Sequence, residues 1–290
     1  MRAVLGIIGG SGIYDLPGLE QTEELSISSP WGEPSAPLRR GRIGDTQVVF
    51  LARHGLGHRI PPTDLNYRAN IDCLKRAAVT DLISLSACGS FREELAPGTF
   101  VLVDQFVDRT FRRASSFFGP GCVAHVSMAY PTGPGLTDRV EAACRDEGIS
   151  FKRGGTYVCI EGPQFSTLAE SLTYKSAGYD VIGMTNMPEA KLAREAEITY
   201  ATVAMVTDYD SWHESGPVHV PSILKVMKQN SEAAVRLVAR IAASFPGERE
   251  VCPVGSDHAL EFAVITSPEA RDAELVKKLD AVAGRVLGGA

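Results

Sequence analysis

Five short polar clusters, each placed directly after an apolar run, hold the residues of this 290-residue chain that could do chemistry. Gly9-Gly10-Ser11-Gly12 offers unencumbered backbone N–H groups and a hydroxyl, a usable anion nest, although a turn needs glycine for its own sake. The dinucleotide fingerprint is excluded, because Asp15 stands where its third glycine belongs, and no Gly-Lys-Ser/Thr follows to make a P-loop. Ala52-Arg53-His54-Gly55 supplies a guanidinium, suited to holding phosphate with paired donors or else a surface arginine in a loop. His54 and His58 have the spacing of a helical metal pair, but Gly55 and Gly57 between them undermine the helix, which favours a backbone or capping role. Ser86 to Ser90 adds hydroxyls and a glycine. Its Cys88 has no evident base and reads as packing.

In the fourth cluster, Glu161 to Ser166, a carboxylate and the Phe165 ring suit gripping a sugar hydroxyl and stacking on a flat heterocycle. The alternative is that Phe165 is core and Ser166 a helix N-cap. The fifth holds Asp208 and Asp210. Two carboxylates two residues apart face the same side of an extended chain, which suggests metal ligation or acid/base work; a turn or capping role for one of them is the plainer reading. No third oxygen-rich cluster supports a metal.

The elements that must position these clusters follow from the pattern. Apolar, β-branched runs at 3–8, 48–52, 82–85, 100–103, 157–160, 181–184 and 199–206 read as buried strands. Helical patterns lie at 64–78 with Thr63 as cap, 136–147, 166–177, 188–195 beginning with proline, 221–243 and 268–287. Alternating strands and helices predict a single α/β domain, 1–266, with a mostly parallel mixed sheet flanked by helices, and a C-terminal helical appendage, 267–290. Ligands in such sheets sit beyond the carboxyl ends of the strands, where all five clusters lie.

Composition narrows the function. With 44% hydrophobic and 22% charged residues the chain can bury a core without disulfide or metal, and its six cysteines are scattered, which suits a reducing cytoplasm. A formal charge of −6 argues against nucleic-acid binding, and no apolar run has the length to cross a membrane. A small anion must therefore be held by a few placed donors.

Taken together, the segments 6–12 (GIIGGSG), 52–55 (ARHG), 66–70 (NYRAN), 87–94 (ACGSFREE), 104–110 (DQFVDRT), 161–166 (EGPQFS), 183–185 (GMT) and 207–212 (TDYDSW) resemble, in order, the 5′-methylthioadenosine phosphorylases of the trimeric purine nucleoside phosphorylase family. The resemblance implies a phosphate site from Ser11, Arg53, His54, Ser86, Ala87 and Thr185, a ribose contact at Met184, and a base site from Phe165, Ser166, Asp208 and Asp210. For the 5′ pocket it implies His125, lent across a subunit interface, with Val220, Ile223, Leu224 and Ile265 as apolar lining. Ser11 and Ser86 stand where the family commonly has threonine, and Gln164 where it often has arginine. No cofactor is implied; inorganic phosphate is a co-substrate, the nucleoside the other partner, and the assembly a homotrimer.

The activity so implied is phosphorolysis of 5′-methylthioadenosine to adenine and 5-methylthioribose 1-phosphate, in purine and methionine salvage. Asp208 is then the expected donor to N7, its pKa raised by the apolar strand that leads into it, and Asp210 the acceptor for the 6-amino group. A purine nucleoside or methylthioinosine phosphorylase and a hydrolytic nucleosidase are the alternatives.

Overall fold

The computed structural model describes residues 1–214 and 220–288. Strands β1 (Leu5–Gly9), β4 (Thr46–Ala52), β5 (Asp81–Ser90) and β11 (Thr199–Asp208) form the centre of one eleven-stranded mixed sheet. They run parallel, β4 beside β1, β1 beside β5, and β5 beside β11. Alternate residues feed two cores. Ile8, Val49, Leu51 and Ala204 enter the cluster under helices α1 (Tyr67–Arg76) and α4 (Asn186–Glu195), while Ile7, Val48, Phe50 and Val203 enter the cluster under α2 (Pro134–Asp146) and α5 (Val220–Ala243). Burial on both faces is why these strands read as continuous apolar runs.

Strands that face water at the sheet edges escaped the sequence pattern, whereas the apolar run at 100–103 was read. β2 (Glu20–Leu25) and β3 (Leu38–Ile43) form a charged hairpin; β6 (Phe100–Val103) pairs β11, with β8 (Phe151–Arg153) beyond it, and β7 (Gln105–Arg109) flanks β9 (Thr156–Ile160). A short apolar stretch at 262–265 meets the rest of the chain through an isolated bridge between Ala124 and Val264. The expected helix at 64–78 begins later, at Tyr67, with Asn66 rather than Thr63 as its cap; 62–64 is a separate short turn ahead of it. The expected 268–287 helix is divided into a short turn, α6 (Ala273–Lys278) and α7 (Asp280–Leu287). Val282, Ala283 and Leu287 of α7 share the buried cluster of α1, and Arg285 pairs with Glu197. Among the described residues no helix is long and apolar enough to cross a membrane.

One feature of the topology makes the site. Strand β5 pairs with β1 only as far as Ser84, and the antiparallel β10 (Val181–Gly183) joins that same edge only at Gly89 and Ser90. Between them the sheet forks, and the β5 edge from Leu85 to Cys88 is left without a strand partner on that side. Sheets divided in this way open a crevice at the strand ends.

Candidate active site

The crevice is a cavity of about 490 Å³. It brings together Ser11, Arg53, His54, Ser86, Ala87 and Thr185 at one end and Phe165, Ser166, Asp208 and Asp210 at the other, with Met184 and Ile223 also in its lining.

Ser86 and Ala87 lie within β5 rather than beyond it, because β11 pairs with that strand as far as Gly89. Ser86 Oγ lies 3.2 Å from Thr185 Oγ1 and 3.3 Å from the Tyr157 hydroxyl. Tyr157 is fully buried, and its ring occupies the space over Gly183, where any Cβ would collide with its hydroxyl. Thr185 closes the corner just before α4. That helix takes regular geometry only from Pro188, since Met187 is extended, as the residue before a proline prefers.

Arg53 is not the surface arginine that a loop position permits; its side chain is 1% exposed. Its paired donors, expected to hold a phosphate, hold a carboxylate instead. Nε donates to Glu189 Oε2 at 2.8 Å, one terminal nitrogen donates to Glu189 Oε1 at 3.2 Å and to Ser84 Oγ at 2.5 Å, and the other terminal nitrogen donates to Leu85 O at 3.0 Å. Glu189 Oε1 also accepts from Ser84 and Tyr200, at 2.6 and 2.9 Å. Gly10 is required here, because a Cβ would strike Leu85 O and crowd the guanidinium. His54 hydrogen-bonds through Nδ1 to Ile60 O at 2.9 Å and stacks on His58, ring centroids 4.2 Å apart. Burial, then the neighbouring Arg53 charge, pushes its pKa down to about 3, so the ring is neutral at physiological pH.

At the opposite end the two aspartates reach one cavity by a route other than an extended chain. The pairing of β11 with β5 slips between Val206 and Asp208, so that Thr207 is an extra residue. Asp210 then takes a left-handed φ of 52° and opens a short helical turn. Asp208 Oδ1 accepts from the Asp210 amide at 2.8 Å and Oδ2 from the Thr207 hydroxyl at 2.7 Å. Burial nevertheless raises the Asp208 pKa, and the Asp210 charge adds to the rise. Burial raises that of Asp210 as well, against the Ser171 and Ser166 hydroxyls beside it. Neither hydroxyl meets it in good geometry: Asp210 Oδ2, Ser166 Oγ and Ser171 Oγ are all buried without a hydrogen-bond partner among the described residues.

Two expectations are corrected here. Glu161 grips no sugar. Arg113 donates to its Oε1 at 2.8 Å, and the amides of Phe111 and Arg112 donate to Oε2 at 2.7 and 3.1 Å. Burial alone would raise its pKa; these donors hold it down to about 2. Arg113 also donates to Met184 O, which fixes the segment carrying Met184. Second, Ser166 is not a helix cap. The helix is α3 (Leu168–Ser176), capped by Thr167 in a box with Glu170, which leaves the Ser166 hydroxyl to the cavity.

His125, Val220, Leu224 and Ile265 do not line the cavity of the single chain. His125 is exposed and donates its amide to Ala263 O, on the same surface as Phe262, which is 91% exposed. Sequence reasoning missed Glu189, Tyr157, Arg59 and Met227, of which the last two line the cavity. Nothing local marks Glu189, because the same helix also carries Lys191, Arg194 and Glu195.

Residues 4–243 match the model of the phosphorylase superfamily. The chain is 70% identical over 289 residues to an S-methyl-5′-thioadenosine phosphorylase of Bradyrhizobium diazoefficiens, covering 99% of each. Among solved structures it is similar to a methylthioadenosine phosphorylase from an antarctic soil metagenomic library, with 43% identity, a TM-score of 0.91 and coverage of 97% of this chain and 99% of that one. A methylthioadenosine phosphorylase of Schistosoma mansoni in complex with adenine is 34% identical with a TM-score of 0.83, covering 89% of this chain and 97% of its own.

Proposed function

Because the chain belongs to the phosphorylase superfamily, we propose that its cavity carries out phosphorolysis of 5′-methylthioadenosine, giving adenine and 5-methylthioribose 1-phosphate. The enzyme is a pentosyltransferase of the phosphorylase type, and relatives 45–70% identical share the substrate in their names. The observation that carries the assignment of roles is the cavity itself, which sets a hydroxyl-lined corner at Ser86 and Thr185 against buried carboxylates at Asp208 and Asp210.

Adenine leaves poorly as an anion, so the bond to C1′ breaks with positive charge gathering on the ribose and a proton passing to N7. Asp208, whose pKa burial raises, supplies that proton. Asp210, with an unpartnered buried oxygen, accepts from the 6-amino group, where a 6-oxo purine would set a lone pair against a carboxylate. Phe165, 48% exposed, offers its face to the base. Phosphate, held by Ser11, Ser86, Ala87, Thr185 and the edges of Arg53 and His54, captures C1′ from the other side of the sugar. No cofactor is invoked.

His125, Val220, Leu224 and Ile265 belong to the proposal as the 5′ side of a pocket completed between copies, in a homotrimer. The exposed patch of His125, Phe262 and Ile265 supports it. The deciding experiment is incubation with methylthioadenosine, with and without phosphate, following adenine and the sugar phosphate. Adenine released equally fast without phosphate sinks the reading, and a fully active monomer by sedimentation sinks the assembly.

A further inference from the structure

The phosphate corner lacks charge. Phosphate is close to a dianion at neutral pH, and the same cavity holds Asp208 and Asp210. Arg53 is the cation that sequence assigns to it, but its charge is already matched, buried and in bidentate geometry, by Glu189. His54 is neutral, fixed through Nδ1 to a carbonyl. Ser11, Ser86, Ala87 and Thr185 add dipoles and no charge. Taking an uncompensated dianion out of water into such a corner is costly.

One more guanidinium lines the cavity. Arg59 follows His58 at the mouth, exposed, with Nε donating to Leu56 O at 3.2 Å. Among the described residues its terminal nitrogens have no hydrogen bond and no ion pair. Arg59 also borders a neighbouring cleft that contains Glu33, with which it makes no ion pair. A long side chain with a free fork, rooted at the rim, can turn inward when an anion arrives.

We propose that Arg59 is the cation that balances bound phosphate, folding over the anion from the cavity mouth while the Arg53–Glu189 pair forms an electrically spent floor beneath it. This rests on phosphate being the co-substrate. It separates two roles that the chain gives to arginine: Arg53 shapes the corner and Arg59 supplies the attraction. The second role predicts dependence on salt, since an exposed charge is screened and a buried pair much less so.

The test compares wild type with Arg59→Met, which keeps the apolar stem, and Arg59→Lys, measuring kcat and both KM values at low and high potassium chloride. The expected result is a rise of about ten- to a hundredfold in the phosphate KM of the Met variant, the range of a lost charge-assisted contact, with the nucleoside KM within about twofold. The Lys variant falls between, and added salt raises the phosphate KM of wild type more than that of the Met variant. A phosphate KM within about twofold of wild type overturns the proposal, as does a nucleoside KM that rises equally, or a Lys variant no better than Met. Adenine release by wild type without phosphate would instead remove the reading beneath it, an outcome visible before any variant is made.

Discussion

At the Arg53 end of the cavity the charged and polar groups are bonded to one another: guanidinium to carboxylate, carboxylate to serine and tyrosine, with both ionic partners at most 2% exposed. At the Asp208 end two carboxylates sit within two residues of each other, with no cation among their bonds and three buried oxygens without a partner among the described residues. The first arrangement holds a shape and leaves little undone. The second keeps its groups short of satisfaction, and a substrate base completes them. A folded chain stores its reactivity where its own accounting is left open, and its rigidity where that accounting is closed.

The sharpest break is Asp208→Asn. It preserves size and removes the titratable proton, so turnover of methylthioadenosine falls by about two to four decades. The pH profile supplies the sign. Asp208 has a raised pKa and in the proposed mechanism acts protonated, so wild-type kcat is expected to decline as pH climbs through that value, and the Asn variant to lose this alkaline limb. An unchanged limb would assign the proton to another group.

At the satisfied end, Glu189→Ala leaves Arg53 buried without its counter-ion and costs about 3–5 kcal/mol of stability, read as a lower denaturation midpoint. Arg53→Ala orphans Glu189 in the same way, so its loss of phosphate use comes with a loss of fold. Replacing both by methionine recovers much of the stability and little of the phosphate use. A single replacement that leaves the midpoint unmoved contradicts the closed network.

Asp210→Asn should have the opposite sign on stability. The folded-state pKa of Asp210 is raised, so the stability its protonated form contributes is fully present below the ordinary aspartate range and is lost as pH rises through the folded value. Asparagine does not titrate. The variant therefore melts a few degrees above wild type at neutral pH, and the gain shrinks on acidification. Its preference for methylthioadenosine over methylthioinosine should narrow as well, because an amide can donate to a 6-oxo group. The smallest effect is that of Ser11→Ala, about 1 kcal/mol on phosphate binding, since backbone donors remain beside it. A phosphate KM shifted a hundredfold would make that hydroxyl a principal anchor.

The sequence exposed the strand ends well, because strands buried on both faces are apolar along their whole length and stop where polar residues meet the cavity. β5 was the exception. Its serines at 86 and 90 resemble a loop, yet they remain in the strand because Thr185 and the backbone at Arg92 give their hydroxyls partners. Charged edge strands such as β2 left no periodic trace. Among site residues, those named at the strand ends converge on one cavity and the resemblance-derived His125, Val220, Leu224 and Ile265 do not line it, while the groups that hold the strand-end residues were hidden. Glu189 lies more than a hundred residues from Arg53 and Ser84, and Arg113 nearly fifty from Glu161, so no local pattern links them. Glu161 was misassigned for the same reason, its partner being distant in the chain.

The extra residue at Thr207 makes chain length, as distinct from residue identity, a determinant of the chemistry. Every substitution at that position leaves the count of residues in β11 unchanged, and with it the kink at Thr207. Removing one residue between Val206 and Asp208 would restore an unbroken ladder with β5, keep every functional residue type, and remove both the local kink and the Thr207 hydroxyl that hold the Asp208 carboxylate in its present position. A survey restricted to point changes would record Thr207 as a modest contributor through its hydroxyl. A survey of deletions would find there the shortest edit that silences the enzyme while leaving its sheet intact.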